Sequence, residues 1–593
     1  MRVADYIIEK INQQGVNHIF LVTGRGALFL TDAVARLKEM NSISMHHEQS
    51  AAFAAVAYSQ YTGGLGACLV STGCAMTNTI TGVLNAWQDG IPCVFISGQN
   101  KLQETSRYTN IPVRTYGQQE TDIISLVEPI TKYAVMITDP TKIVYEVEKA
   151  LYLANEGRKG PVWIDIPLDV QNMRVEPDEL MHYDVQKGNF YEPSSKDIEY
   201  IKDALTKSNR PTLLIGSGIY AAKAEKELST LVEQLGIPLT YSASSPDIYG
   251  TENKLSIGSV GMMGCSRAGN FTVQNSDLLI VIGCRLSSMT TGTEFEKFAR
   301  EAKIIVVDID AVEHSKKGVN IDRLVISDAK RLISSLLNTK LKETNIEWKN
   351  KCLHWKNIFP KCENDHLNLE KIDLYYLTEI LGKTLPENAS LVTDSGLIEL
   401  VLPGNFNFKN TQKCIHPASQ GSMGFALPAA IGAYYASQKP VVAVIGDGSV
   451  MMNLQELETI SHNNIPIKII IVNNNAYSVI RKRQKELFRS RTIGTDTSNG
   501  VSCPDFKKVA NAFEIQYIRI DNSNALTDKL TSLFKAEGAV LCEIMGLENQ
   551  EYITNWHTRN AENRFVNRPI EDQAPFLDRD LFLSEMIIKP IDQ

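Results

Sequence analysis

Short apolar runs that close on glycine or a polar residue recur along this chain, and each is followed by a stretch with helical spacing. The early runs are "HIFLVTG", "GACLVST", "PCVFISGQ" and "PVWIDIP". The next are "PTLLIGSG", "DLLIVIGCR" and "KIIVVDIDA", and the last are "SLVTDSG", "PVVAVIGDG", "IKIIIVNNN" and "AVLCEIM". Continuous apolar strands alternating with helices predict parallel sheets covered on both faces. At 593 residues the chain exceeds what one hydrophobic core can hold. The fold class expected is therefore α/β, with three doubly wound parallel-sheet domains over 1–185, 195–340 and 370–550. A C-terminal tail, 551–593, follows where the periodicity fades. Polar, turn-rich sequence at Lys187–Asp197 predicts a linker, and Lys-rich sequence around Asn338–Lys351 leads out of the middle domain.

A formal net charge of −8 argues against nucleic acid or an anionic membrane as partner. Ten scattered cysteines without a CxxC pair suit a reducing compartment. The N-terminus lacks the layout of a signal peptide, and no uncharged run reaches spanning length. The expectation is a soluble cytoplasmic protein, with the Asn388-Ala-Ser sequon a chance match.

Chemistry concentrates between Val444 and Asn475, "VIGDGSVMMNLQELETISHNNIPIKIIIVNNN". In an open parallel sheet, ligands bind beyond the carboxyl ends of the strands, which is where Asp447 and Asn474 fall. If the two strands are neighbours, a helix over Met452–Asn463 returns the chain and both side chains share a cleft. Gly446 and Gly448 would let the backbone approach closely, and Ser449 would cap the helix. A helix N-terminus favours phosphate, and a carboxylate beside an amide oxygen suits Mg²⁺. Gly-Asp-Gly alone is ordinary turn chemistry; the pairing with the asparagines is what predicts a metal-bridged diphosphate site.

This arrangement resembles the cofactor motif of thiamine-diphosphate-dependent enzymes. The resemblance implies that Asp447, Asn474 and the main-chain carbonyl of Ala476 bind Mg²⁺, with Gly446, Gly448 and Ser449 at the cofactor. "GSMGFALPAAIGA" (Gly421–Ala433) is similar to the segment that props the cofactor into a bend, which implies contacts from Gly421 and Met423. "TDSG" implies diphosphate contacts from Ser395 and Gly396. "MHHEQSAAFAA" (Met45–Ala55) supplies Glu48, which would bind a ring nitrogen of the aminopyrimidine from a buried position with a raised pKa. Gln119 falls where the family keeps an active-site glutamine. By the same resemblance the three domains are pyrimidine-binding, central Rossmann-like and diphosphate-binding, in a homodimer or homotetramer with active sites at the subunit interface. FAD in the central domain, seen in some relatives, stays open.

The closest branch is that of acetolactate-synthase-like enzymes, which implies decarboxylation of a small 2-keto acid such as pyruvate and transfer to an acceptor carbonyl. Acetolactate synthase itself, simple decarboxylation, cyclic-diketone hydrolysis and a non-catalytic scaffold remain alternatives. Four departures argue against a housekeeping acetolactate synthase. Gly73-Cys74-Ala75 replaces Gly-Pro-Gly, and Gly396-Leu397-Ile398-Glu399 replaces Gly-Gln-His-Gln. Arg483 stands at a position commonly Trp, and "CRLSSMTTG" keeps only Arg285 of an FAD-linked pattern. The basic run Arg481-Lys482-Arg483 reads by default as a solvated helix face. Its place beyond the metal loop also allows contact with a phosphorylated or nucleotide-linked keto-sugar. Two decoys carry no weight: "GKT" at Gly382 lacks the upstream glycine of a phosphate loop, since Leu377 stands there, and "IGSG" (Ile215–Gly218) is a lone short glycine motif; a zinc HExxH reading fails at Ala51.

Overall fold

The structure, a computed structural model, describes residues 1–185, 191–367, 370–555, 558–559 and 564–591. Each apolar run named above forms a strand, and the strands assemble into three six-stranded sheets. Every pairing within those sheets is parallel. Numbered within its own sheet, the first has strand order 2-1-3-4-6-5 and the third repeats it, a symmetry invisible at the residue level. The middle sheet has order 3-2-1-4-5-6, the doubly wound arrangement with a switch point between its first and fourth strands.

Seven strands of these three sheets fall outside the named runs, among them Asn41–Ser44, Tyr133–Met136, Lys413–Ile415 and Gln516–Ile520. Those four are sheet edges, where a strand is covered less completely and needs fewer apolar residues.

The first and third sheets are joined by two helices, Glu48–Thr62 and Ala426–Ser437. Both are apolar nearly all round because both are buried nearly all round. Alanines and glycine let them approach: a Cβ on Gly432 would lie 2.1 Å from the Ala54 carbonyl oxygen. Phe53 and Phe425 meet edge-on at 5.3 Å between ring centroids. The alanine-rich stretch after Glu48 is thus a packing surface, and it fixes where that glutamate stands.

The connecting segments carry more regular structure and packing than their sequences signal. A helix, Ser195–Lys207, begins inside the expected linker, its Ser194 side chain accepting from the Asp197 N–H at 3.2 Å; residues 187–190 of that linker lie outside the described residues. Ile346–Ile358 is also a helix, whose Trp348, Cys352 and Trp355 pack with Phe271 and Phe582. The tail is docked on the middle unit. Glu571 meets Arg300 at 2.7 Å and Gln274 at 2.6 Å, and Phe582 is buried. Single anchors such as Ile570 and Phe582 carry no periodic signal, so sequence patterning missed them. All ten cysteines are free, and among the described residues no helix is long and apolar enough to cross a membrane.

Candidate active site

The strands ending at Gly446 and Asn473 are neighbours, as the motif required. Asp447 begins a short helix, Asp447–Val450. Its buried carboxylate accepts from the Gly448 N–H at 2.9 Å and the Asn475 N–H at 2.7 Å. Burial pushes this carboxyl up to about 6, against the pull of those N–H donors. The Asn474 amide oxygen accepts from the Ala476 N–H at 3.2 Å, and Asn475 takes a left-handed φ of 54° that turns the chain. A carboxylate, a carboxamide oxygen and the adjacent Ala476 backbone make a hard-oxygen donor set that fits Mg²⁺. The Tyr477 ring crosses over Gly448, where a Cβ would lie 2.0 Å from its edge. A small pocket beside Asp447 is lined by Tyr477, Thr497 and Cys503.

Other details of the motif differ. Space demands glycine at 448 but not at 446, where a Cβ would meet nothing nearer than 3.9 Å. The connecting helix is Glu456–His462 rather than 452–463. Ser449 does not cap it: its hydroxyl donates to Asp394 and accepts from the Gly424 N–H.

Asp394 is the residue that sequence reasoning passed over. Fully buried at the end of strand Ser390–Thr393, it accepts from the N–H groups of Ser395, Gly424 and Ala426, at 2.8, 3.1 and 2.8 Å, and from Ser449. One side chain thereby ties together the Ser395–Gly396 turn, the Gly421–Met423 loop and the Asp447 helix. Gly396 and Gly421 have φ of 72° and 60°, which favour glycine, and Gly396 precedes the helix Leu397–Asn405. The first-turn N–H groups of that helix offer a phosphate position.

Glu48 opens its helix at the carboxyl end of strand Asn41–Ser44. It is half-buried rather than buried, and Oε2 accepts from Asn78 Nδ2 at 2.9 Å. Gln119 is exposed with a φ of 61°, and its carbonyl oxygen lies 2.1 Å from where a Cβ on Gly73 would stand. The Gly73-Cys74-Ala75 turn and the Gln119 loop are therefore one surface. Two further residues link the halves: Asn453 Nδ2 donates to the Gly424 carbonyl at 3.0 Å and to Gln49 at 3.2 Å, and Glu456 accepts from the His46 N–H at 3.2 Å. Met423 and Ser395 keep part of their surface open.

The basic run is not a uniformly solvated face. Arg481 is buried beside Asp496 at 3.4 Å, and Lys482 pairs with Glu551 at 2.6 Å. Arg483 reaches across to Met263 of the middle unit, Nη2 to Sδ 3.5 Å. A cavity of ≈ 510 Å³ opens where all three units meet, lined by Gly218, Arg285, Asp308, Asp89, His416 and Ser419 among others. Burial lowers His416 to about 4, so its imidazole is neutral. Gly218 lies so near Gly283 that a Cβ would fall 2.5 Å from its Cα, leaving bare backbone at the switch point.

Residues 1–126, 198–336 and 394–544 match family models described as the N-terminal TPP binding domain, the central domain and the C-terminal TPP binding domain of thiamine pyrophosphate enzymes. The chain is 31% identical over 561 residues to the acetolactate synthase large subunit of Cyanidium caldarium, covering 92% of this chain and 93% of that protein. Identity to the Haemophilus influenzae large subunit is 29% over 583 residues, 96% and 99% of the two chains. The chloroplastic acetolactate synthase of Arabidopsis thaliana is 28% identical over 568 residues, 93% of this chain and 82% of its own.

Proposed function

This chain belongs to the thiamine pyrophosphate enzyme family, in its acetolactate-synthase-like branch, and from that premise we propose how its own residues divide the work. It is a thiamine-diphosphate-dependent 2-keto acid enzyme. In our reading the donor is pyruvate and the acceptor a nucleotide-linked or phosphorylated keto-sugar. The observation that carries the catalytic part is the clamp formed by Asp447 with the Asn474–Ala476 turn.

Asp447, Asn474 and the Ala476 carbonyl would hold Mg²⁺. Ser395, Gly396 and the backbone of Gly446, Gly448 and Ser449 would hold the diphosphate, while Gly421 and Met423 would fix the cofactor's bend. When bound, thiamine diphosphate supplies a nucleophilic carbon and an electron sink for loss of CO₂. Glu48 would hold a proton against a pyrimidine nitrogen, and Gln119 would orient substrate. The open surface left on Glu48, Ser395 and Met423 supports a homodimeric or larger assembly in which a second copy covers the site. Arg483 beside Met263 supports an anionic acceptor, since a guanidinium pairs with phosphate by charge and geometry. The central cavity, with its bare backbone at Gly218 and Gly283, supports FAD as a second ligand.

Incubation with thiamine diphosphate, Mg²⁺ and pyruvate tests this reading. The expected result is CO₂ release that rises when a nucleotide-linked keto-sugar is added, with a product heavier than the acceptor by one acetyl unit plus hydrogen. Acetolactate from pyruvate alone would favour acetolactate synthase, the activity that the relatives' names suggest. No CO₂ from any 2-keto acid would sink the catalytic reading. Mass spectrometry of ligands retained on purification would test thiamine diphosphate and FAD together.

A further inference from the structure

Glu399 is the only ionisable side chain in the first turn of the helix that follows Gly396, where buried Leu397 and Ile398 precede it. Its carboxyl accepts no hydrogen bond from any described residue, and Oε2 lies 2.8 Å from where a Cβ on Gly421 would stand. Gly421 is two residues before Met423, so the carboxyl lies directly against the proposed cofactor loop. Its first charged neighbour is Asp89, at the end of the helix Cys74–Asp89. Asp89 accepts from Asn85 Nδ2 at 2.8 Å and lines the central cavity, beyond which Arg285 donates to the Ser419 hydroxyl at 3.1 Å. A half-buried carboxyl without a hydrogen-bond donor among the described residues thus stands against the cofactor loop, and its first charged neighbour borders the cavity.

The reaction class needs a proton at this place. Joining a decarboxylated 2-keto acid to a carbonyl compound releases CO₂ from a carboxylate and leaves a neutral hydroxyl, so each turnover consumes one proton. We propose that Glu399, as a neutral carboxylic acid, gives the acceptor's carbonyl oxygen that proton, and that Asp89 returns one to Glu399 from the cavity. The electron pair freed by loss of CO₂ forms the new carbon–carbon bond. The acceptor's C=O π pair moves onto oxygen, which takes the proton from Glu399, and the resulting carboxylate is reprotonated through Asp89 from water.

The surroundings favour the neutral form. Burial, with Asp89 and then Asp394 as its charged neighbours, pushes the Glu399 carboxyl up to about 8. Asp89 itself is raised to about 6 by burial, against hydrogen bonds from Ser419 and the charge of Arg285. With the Glu399 carboxyl raised further than that of Asp89, Glu399 is the one that keeps its proton near neutral pH.

The assignment rests on the carboligation reading above, and Glu399→Gln separates the two. With pyruvate as donor and acetaldehyde as acceptor, the variant should form coupled product roughly 100-fold more slowly, the scale of lost general-acid catalysis. In a single turnover, where CO₂ leaves before coupling, its CO₂ release should fall by less than about tenfold, and the alkaline limb near pH 8 in product formation should vanish. Equal losses in both rates, or an unchanged alkaline limb, would overturn the proposal. Infrared difference spectra of wild type against Glu399→Gln at pH 7, without substrate, should show a neutral carboxylic acid lost in the variant. A wild type that releases no CO₂ would refute the carboligation reading. The infrared comparison then decides the proton-donor assignment, and absence of the band overturns it.

Discussion

The Oδ2 atom of Asp447 accepts the backbone N–H of Asn475 at 2.7 Å. One strand end thereby holds the turn at the end of its neighbour. The carboxylate that would meet a metal also shapes the loop that would complete the metal's donor set. Removing its charge should loosen both.

Asp447→Asn keeps the side chain's size and removes its charge. Mg²⁺-dependent binding of thiamine diphosphate should weaken by at least ~10–100-fold, the loss seen even when outer-shell partners of a metal are removed. Fluorescence titration with and without Mg²⁺ measures it. Undiminished Mg²⁺ dependence would remove Asp447 from the site.

Glu48→Gln preserves shape and abolishes the proton position. The cofactor should still bind, while deuterium exchange at its reactive carbon slows by roughly 10²–10⁴-fold. Quench-flow followed by proton NMR reads the exchange directly. An unchanged rate would refute the role given to Glu48.

Gly432→Val places branched carbons where Ala54 O stands 2.1 Å from the first of them. Overpacking of this kind costs about 1–3 kcal/mol, and here it should part the helices that join the first and third units. The thermal midpoint should fall, and cofactor affinity with it. Equal stability would mean that the two helices can slide apart without cost.

Asp165 is fully buried beneath the first sheet's carboxyl rim, accepting from Ser97 at 2.6 Å and Gln99 at 3.2 Å. Burial pushes it up to about 7 from an ordinary 3.8. Between those values the folded chain keeps the proton that the unfolded chain has lost. Its contribution to stability is therefore full below about pH 4, declines as pH rises to about 7, and stays low above that. Denaturant midpoints of Asp165→Asn should fall less steeply than wild type across that window. Parallel slopes would show that the carboxyl does not titrate there.

Much of this could be read from residues alone because it is local. "VVAVIG" and "IIIVN" are apolar without alternation since both their faces are covered, and that pattern survives any tertiary context. The spacing of Asp447 from Asn474 sets one helix between two strands, which confines both to a single rim. Edge strands such as Lys413–Ile415 and anchors such as Phe582 escaped, because partial coverage and single contacts leave no period to detect.

What only the tertiary structure decided is which distant groups share a space. Asp394 looks like an ordinary turn residue until four donors from three segments converge on it. Arg481 and Arg483 are near neighbours in sequence, yet one is buried against Asp496 and the other reaches Met263. Glu399 stands 310 positions from Asp89 in a chain that packing folds back on itself. Sequence determines periodicity, and so fold class and the residues of one strand–helix–strand unit. Burial, charge environment and proton affinity depend on neighbours brought together across hundreds of residues.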